Sequence, residues 1–457
     1  MKRLKFLVVG VLVICFLGGW YAFAGGGKEA EEKAAEEPVA ITIATVNNPD
    51  MKVMEELSPQ FTEETGIKLN WSILPENELR QKVTEDVALG AGKFDIVTIG
   101  IIEVKNWVNY EWIVTLDPFF EKMKDAERRV YDLDDVLKSV RGGLSVDGKL
   151  YALPFYGETS IVFYRKDLFD KAGLTMPDEP TWDQMYNFAK QLHDPDNGIY
   201  GLILRGLPGW GENMAVFGTM INAFGARWYD MDWNAQFDTP EMRKAFETYY
   251  RLIKEVCEPG ATGVGFTEGV TLMAQGKGAM WYDASVGAGL LNDSTQSKVA
   301  GKLGYARAPK DKKSGNGWLW AWSLAIESAS KKKEEAFKFL TWATSKGYIE
   351  LVGESKGWVT VPPGSRKSTY ENPKYKEVAD FAPIVLSGMR AVDYNRPCLD
   401  PTPYIGTPFV VIPEWPHLGT EVAQILAAYI SDKISIDEAL KQCQKIANEV
   451  AVEGGYK

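Results

Sequence analysis

Histidine is almost missing from this chain, with 2 among 457 residues. That scarcity excludes a multi-histidine metal centre and leaves histidine-dependent acid–base catalysis without a carrier. His193 stands in a turn-rich HDPDNG stretch and His417 beside Pro416; both read as solvated or capping residues. Cysteine is scarce too, with 4. Cys15 falls in an N-terminal apolar run, which leaves Cys257, Cys398 and Cys443, and no C-x-x-C occurs. Three scattered thiols are not a disulfide framework: at most one bridge can form, and the sequence does not choose it. Positive charge is in deficit, 51 Lys and Arg against 62 Asp and Glu, for a formal charge of −11. Such a surface repels nucleic acid and anionic lipid, so no polynucleotide partner is expected. After the N-terminus no apolar run is long enough to span a membrane.

Nucleotide and hydrolase motifs are also wanting. Gly-Lys pairs at Gly92, Gly148, Gly276 and Gly301 are never followed by Ser or Thr, so there is no P-loop. GLPGWG at 206–211 lacks the dinucleotide spacing. DPDNG at 194–198 begins like a calcium loop but has Arg205 at the twelfth position, and a plain turn is expected. GESKG at 353–357 matches G-x-S-x-G. That elbow needs a strand before the serine and a helix after it. Here the order is reversed, so a glycine-stopped helix end is predicted. Neither a cofactor nor a metal is expected, and no residue is assigned a catalytic role. One enzymatic option survives: Glu158 and Asp283 as the carboxylate pair of a secreted glycoside hydrolase.

The composition, 45% hydrophobic and 25% charged, is that of a soluble globular protein of two or three compact units. The N-terminus opens with Lys2, Arg3 and Lys5, continues as an apolar run from Phe6 to Ala24, and ends in Ala22-Phe23-Ala24 before glycine. This is the pattern of a signal peptide over residues 1–24, with an uncleaved membrane anchor as the rival reading. Residues 25–38, GGGKEAEEKAAEEP, read as a charged flexible linker.

From there strands and helices alternate. Ile41–Val46 and Phe94–Gly100 are apolar, β-branched runs and predict buried strands, and Lys68–Leu74 predicts a second strand between them. Between them come helices: one capped by Ser58, opened by Pro59 and closed by Gly66, and one over Asn77–Leu89 closed by Gly90. This order implies an α/β fold with a parallel sheet. Extended segments follow at Leu150–Pro154, Ser160–Tyr164, Tyr200–Leu204, Ala279–Tyr282 and Leu319–Ile326. Helices are predicted from Thr181 (with Gln184 as a capping box), Thr239, Lys331 and Ser435. Two α/β lobes are expected: lobe 1 over 39–153, lobe 2 over 154–317, a return to lobe 1 over 318–360, and C-terminal helices mainly of lobe 2 over 361–457. They would be joined by crossings near 152–160, 317–323 and 357–363, which allow hinged closure on a ligand.

Against these shortages stands a surplus of tryptophan, 15 residues, and Trp is hard to bury completely. Trp318, Trp320 and Trp322 alternate in GWLWAWSLAI, so on a strand they share one face. Trp210 sits among Arg205, Glu212 and Asn213, and Trp281 adjoins Tyr282 and Asp283. Aromatic faces interleaved with charged hydrogen-bonding groups suit a polyhydroxy ligand. Its C–H faces pack on indole while its hydroxyls donate and accept. Trp210 and Trp320 are read as ligand platforms, Trp318 and Trp281 fit either role, and Trp71, Trp107, Trp182, Trp342 and Trp358 are read as core.

The stretch DGKLYALPFYGETSIVFYRKDLFDKAGL from Asp147, with PDEPTWDQM after it, resembles the family 1 extracellular solute-binding proteins of ABC importers, the group containing maltose-binding protein. GLILRGLPGWGENM, GKGAMWYDAS, GWVTVPPGSRKSTYENPKY and DPTPYIG-x-x-FVVIPEW are similar to its polyol branch, the mannitol/sorbitol-binding proteins. The resemblance covers about 40–457. It implies the two-lobed, maltose-binding-protein-like fold with a cleft between lobes. It also implies capture of a sugar alcohol, delivery to permease subunits in the inner membrane, a periplasmic monomer and no catalysis. By position it carries over Glu158, Asp283 and Trp210. Strand ends facing such a cleft add Asn48, Glu76 and Thr98 with Gly100, while Arg205 and Glu212 flank Trp210. Glu76, Glu158, Glu212 and Asp283 would accept from hydroxyls; Arg205 and Asn48 would donate. The oligosaccharide-binding aromatic of the family has no clean equivalent, Trp415 being about one turn off, in keeping with a small ligand. Within the same family, a monosaccharide or oligosaccharide is the alternative.

Overall fold

The computed structural model describes residues 38–457; the signal-peptide reading and nearly all of the linker lie outside them. In chain order the strands are β1 (Ala40–Val46), β2 (Lys68–Leu74), β3 (Ile96–Gly100), β4 (Ser145–Val146), β5 (Lys149–Leu150), β6 (Ala152–Pro154), β7 (Ser160–Arg165), β8 (Met280–Ala284), β9 (Leu303–Arg307) and β10 (Trp322–Ile326). They form a five-stranded sheet, β2-β1-β3-β10-β6, and a three-stranded sheet, β8-β7-β9, with β4 and β5 as a separate ribbon. β1 runs parallel to β2 and β3, whereas β10 returns antiparallel between β3 and β6. β1 and β3 are buried on both faces, as inner parallel strands require, whereas β2 at the sheet edge is partly exposed.

Local sequence explains the connections. Gly66 and Gly90 take left-handed conformations (φ 73° and 58°) that stop the two helices before β2 and β3. Several helices were not anticipated, among them Pro49–Leu57, which follows β1 directly. Asn47-Asn48-Pro49 reads as a turn, but Asn48 is an N-cap whose side chain accepts from Met51 N at 2.9 Å, and Pro49 opens the helix. Thr181 and Gln184 cap the helix Trp182–Leu192 reciprocally, and Thr239 caps Pro240–Glu255. Gly353–Gly357 closes the helix Lys346–Lys356, so its serine is at a helix end and not on an elbow. The segment after it is a short 3-10 turn, Trp358–Thr360, not an extended run.

The sheets belong to two lobes joined by neighbouring crossings. Glu158 N donates to Trp320 O at 2.8 Å and Trp320 N to Glu158 O at 3.0 Å. Gly157 N also reaches Pro363 O at 3.3 Å beside these crossings. Near the C-terminus, Trp415–Ile430 and Ile436–Glu453 pack on each other and on Pro240–Glu255. Arg243–Asp437 and Lys254–Asp432 ion pairs tie them there. Cys257, Cys398 and Cys443 are all buried and unbridged. No helix among the described residues is long and apolar enough to cross a membrane.

Candidate functional site

The crossings floor a narrow cavity between the lobes. The Glu158–Trp320 bridge fixes both side chains at the floor. Trp318, Trp320 and Trp322 all line it, as their alternation demands. Gly100, the last residue of β3, makes room for Trp320: a Cβ there would lie 2.0 Å from the indole.

Two buried arginines face one another across this space. Arg205 comes from the loop after residues 200–204. Its guanidinium makes a forked contact to Asp283 (2.6–3.1 Å) and further contacts to Gly211 O (3.0 Å) and Glu212 (3.4 Å). Asp283 closes β8 and is fully buried. Burial works against the Arg205 charge, but Asp283 and Glu212 outweigh it, so the group stays cationic. Arg80 comes from the helix Glu76–Leu89, one turn after Glu76. It pairs with Glu76 at 2.8 Å and with Glu103 at 2.6 Å, and Glu103 also accepts from Gly100 N at 2.5 Å. Its guanidinium stacks 3.7 Å above Trp210 and 4.8 Å from Trp322. Burial opposes the Arg80 charge as well; Glu103 and Glu76 override it.

Five carboxyl groups accompany these two cations, and they are not equivalent. Burial pushes Glu158 well above the carboxylate range; Asp283 adds to the rise and Arg205 opposes it. Burial, then the charge of Glu76, raise Glu212 to about 8 against Arg205. Burial thus favours the protonated form of Glu158, in which a carboxyl group can donate as well as accept. Its Oε2 is buried without a hydrogen-bond partner, and so is Trp318 Nε1. Orphaned polar atoms on a cavity wall are the groups a hydroxylated ligand satisfies.

The structure thus brings Glu76, Glu158, Arg205, Trp318 and Trp320 to one cavity. Glu212 and Asp283 stand behind Arg205 and hold it; they do not line the space, so their carboxylates are spent on the guanidinium and not on ligand hydroxyls. Trp210 is likewise off the cavity wall, and its indole face is covered by Arg80. Three candidates lie elsewhere. Trp281 is fully buried, stacked 4.9 Å from Phe163, with Gly269 and Gly287 packed against it. It is core because it sits deep in β8, under the helix Phe266–Ala274. Thr98 is spent on Thr45 at 2.8 Å, tying β3 to β1. Asn48 caps its helix and donates to Tyr156 OH at 3.0 Å, so its donor is already used. It lines a second interlobe space instead.

Trp322, Arg80, Gly211, Ala215, Pro408 and Phe409 complete the lining; of these only Trp322 was placed on the shared indole face beforehand. The Glu76-x-x-x-Arg80 pair at the start of a helix that follows a strand was an available signal for Arg80. Phe409 lies in an irregular stretch where no periodicity marks it.

Residues 45–350 match the family model described as bacterial extracellular solute-binding protein. The chain belongs to this family. It is 46% identical over 424 residues to the mannitol-binding protein of Pseudomonas aeruginosa, covering 92% of this chain and 95% of that one. It is 28% identical to the erythritol/L-threitol-binding protein of Mycolicibacterium smegmatis over 74% of this chain and 73% of that one. The crystal structure of an ABC transporter solute-binding protein from Agrobacterium vitis, with bound D-mannitol, superposes with a TM-score of 0.87 at 45% identity, covering 91% and 99% of the two chains. A maltose-bound MalE3 of T. maritima matches at 20% identity with a TM-score of 0.75 over 90% and 100%. This solute-binding protein therefore has the two-lobed maltose-binding-protein-like fold.

Proposed function

We propose that the protein is the substrate-binding component of an ABC importer that captures a mannitol- or sorbitol-type sugar alcohol and hands it to permease subunits of the inner membrane. The carrying observation is the small interlobe cavity that combines three indoles, two carboxylate-tethered guanidinium groups and the unpartnered Glu158 Oε2. An acyclic polyol presents C–H faces along one side and hydroxyls along its whole length. It packs on Trp318 and Trp320, accepts from Arg80, Arg205 and Trp318 Nε1, and exchanges hydrogen bonds with Glu76 and Glu158. Hydrogen bonds to charged groups contribute roughly 1.5–3 kcal/mol each, so a few offset the cost of ordering a flexible ligand. Closure is favoured because the ligand touches both lobes at once. The mannitol-binding relatives and the leader-like N-terminus support a periplasmic carrier.

A hydrolase reading has less support. Asp283 has both oxygens on Arg205 and is off the cavity wall, so Glu158 and Asp283 do not flank the cavity as a carboxylate pair. Tryptophan fluorescence and calorimetric titration with mannitol, sorbitol, arabitol, glucose and maltose, alongside aryl glycosides, test the reading. Stoichiometric polyol binding without turnover is expected. Saturable binding of maltose but of no polyol, or release of an aryl group, would overturn it.

A further inference from the structure

The far side of Arg80 is not solid protein. An open crevice lies there, between the helix Glu76–Leu89 and the loop at 208–210, bounded also by the start of Trp415–Ile430. Arg80 lines both this crevice and the ligand cavity, and Trp210 lines only the crevice. The two spaces are therefore separated by a guanidinium stacked on an indole. Phe409 backs the stack, 5.4 Å from Trp210 and 5.8 Å from Trp320. Two glycines close the seam around it. A Cβ on Gly211 would lie 2.2 Å from Glu76 Oε1 and 3.0 Å from Arg80, and one on Gly209 would lie 2.8 Å from Asn77. The loop of lobe 2 thus seats directly on the helix of lobe 1.

We infer that the Arg80–Trp210 stack is a partition that sets the upper length of the ligand, restricting the site to single-unit polyols and excluding disaccharide alcohols. The inference rests on the polyol reading of the cavity. Its halves come from opposite lobes, so the wall exists only when the lobes are together. A ligand one sugar unit longer would need the space that Arg80 occupies. It would also have to break Arg80 away from Glu76 and Glu103, leaving buried carboxylates unpaired. Without the stack, the cavity and the crevice become one channel.

The test uses the whole protein with mannitol and with maltitol, a glucosylated hexitol, by calorimetry. The wild type is expected to bind mannitol at least 100-fold more tightly than maltitol. In Trp210→Ala and in Arg80→Ser the ratio should fall below tenfold, because maltitol gains even where mannitol loses. An unchanged ratio in variants with native melting behaviour overturns the inference. The crystal structure of Trp210→Ala is an independent check: a continuous channel is expected, and two separate spaces would refute the partition. If the wild type binds no alditol, the polyol reading fails on its own, and the crystal structure still decides whether the wall exists.

Discussion

Arg205 and Arg80 look alike in isolation: each is a buried guanidinium held by two carboxylates and laid against aromatic rings. They differ in where the partners come from. Asp283, Glu212 and Gly211 come from segments on the same side of the cavity as Arg205, as does the Phe266 ring 5.3 Å away, while the Trp318 ring, 5.8 Å away, comes from a crossing. The charge partners of that station all lie on one side. Arg80 takes its carboxylates from its own lobe but its nearest ring, Trp210 at 3.7 Å, from the other. One arginine is built by folding, the other finished by closure. The first should therefore respond to mutation mainly as stability, the second mainly as binding.

The largest effect should come from Asp283→Ala, which strands the Arg205 charge in a buried site. A loss of about 3–5 kcal/mol in urea unfolding is expected, with binding abolished. A variant of native stability that merely binds weakly would break the contrast between the two stations. Trp210→Ala comes next and should act in the opposite manner. Removing a desolvated cation–π contact is worth about 2 kcal/mol, so mannitol should bind roughly 30-fold more weakly by calorimetry. Its unfolding midpoint should change little; a collapse of stability would mean that Trp210 belongs to folding after all.

The carboxyl groups sharpen the comparison through pH. Glu212 is raised to about 8 in the folded protein and titrates near the ordinary glutamate value when unfolded. The folded state then binds more protons between those values, so stability is greatest at acid pH and falls as pH rises through about 8. Asp50 and Glu258 at about 7 and Glu327 at about 8 act in the same direction. The melting temperature should drop from pH 5 to pH 9, and Glu212→Gln should flatten part of that slope. A slope that Glu212→Gln leaves unaltered would remove Glu212 from the account. The smallest change in binding is expected for Trp281→Phe. It costs about 1–3 kcal/mol of packing but should leave mannitol affinity within about twofold, since the indole touches only the core.

Much of this was legible before any coordinates. Alternation and glycine stops marked β1, β2, β3 and their helices, because these are properties of neighbouring residues. The period of two in Trp318–Trp322 put three indoles on one face, and that face lines the cavity. The errors have a common cause. Trp281 and Trp210 share a similar neighbourhood in the chain, aromatic beside polar, yet one is buried beneath a helix and the other is covered by a residue 130 positions earlier. Asn48 and Thr98 were rightly placed at strand ends, but their hydrogen bonds are consumed by Tyr156 and Thr45.

By itself the sequence determined the alternation of elements, the scarcity of histidine, the acidic charge and the supply of indole and carboxylate for a polar ligand. All of these depend on composition or on contacts within a few residues. Tertiary structure decided which carboxylates keep a proton, which tryptophans see the cavity, and that Arg80 rather than Trp210 forms its wall. Those outcomes depend on burial and on through-space charge between segments far apart in the chain, and neither has a value until the lobes are folded and brought together.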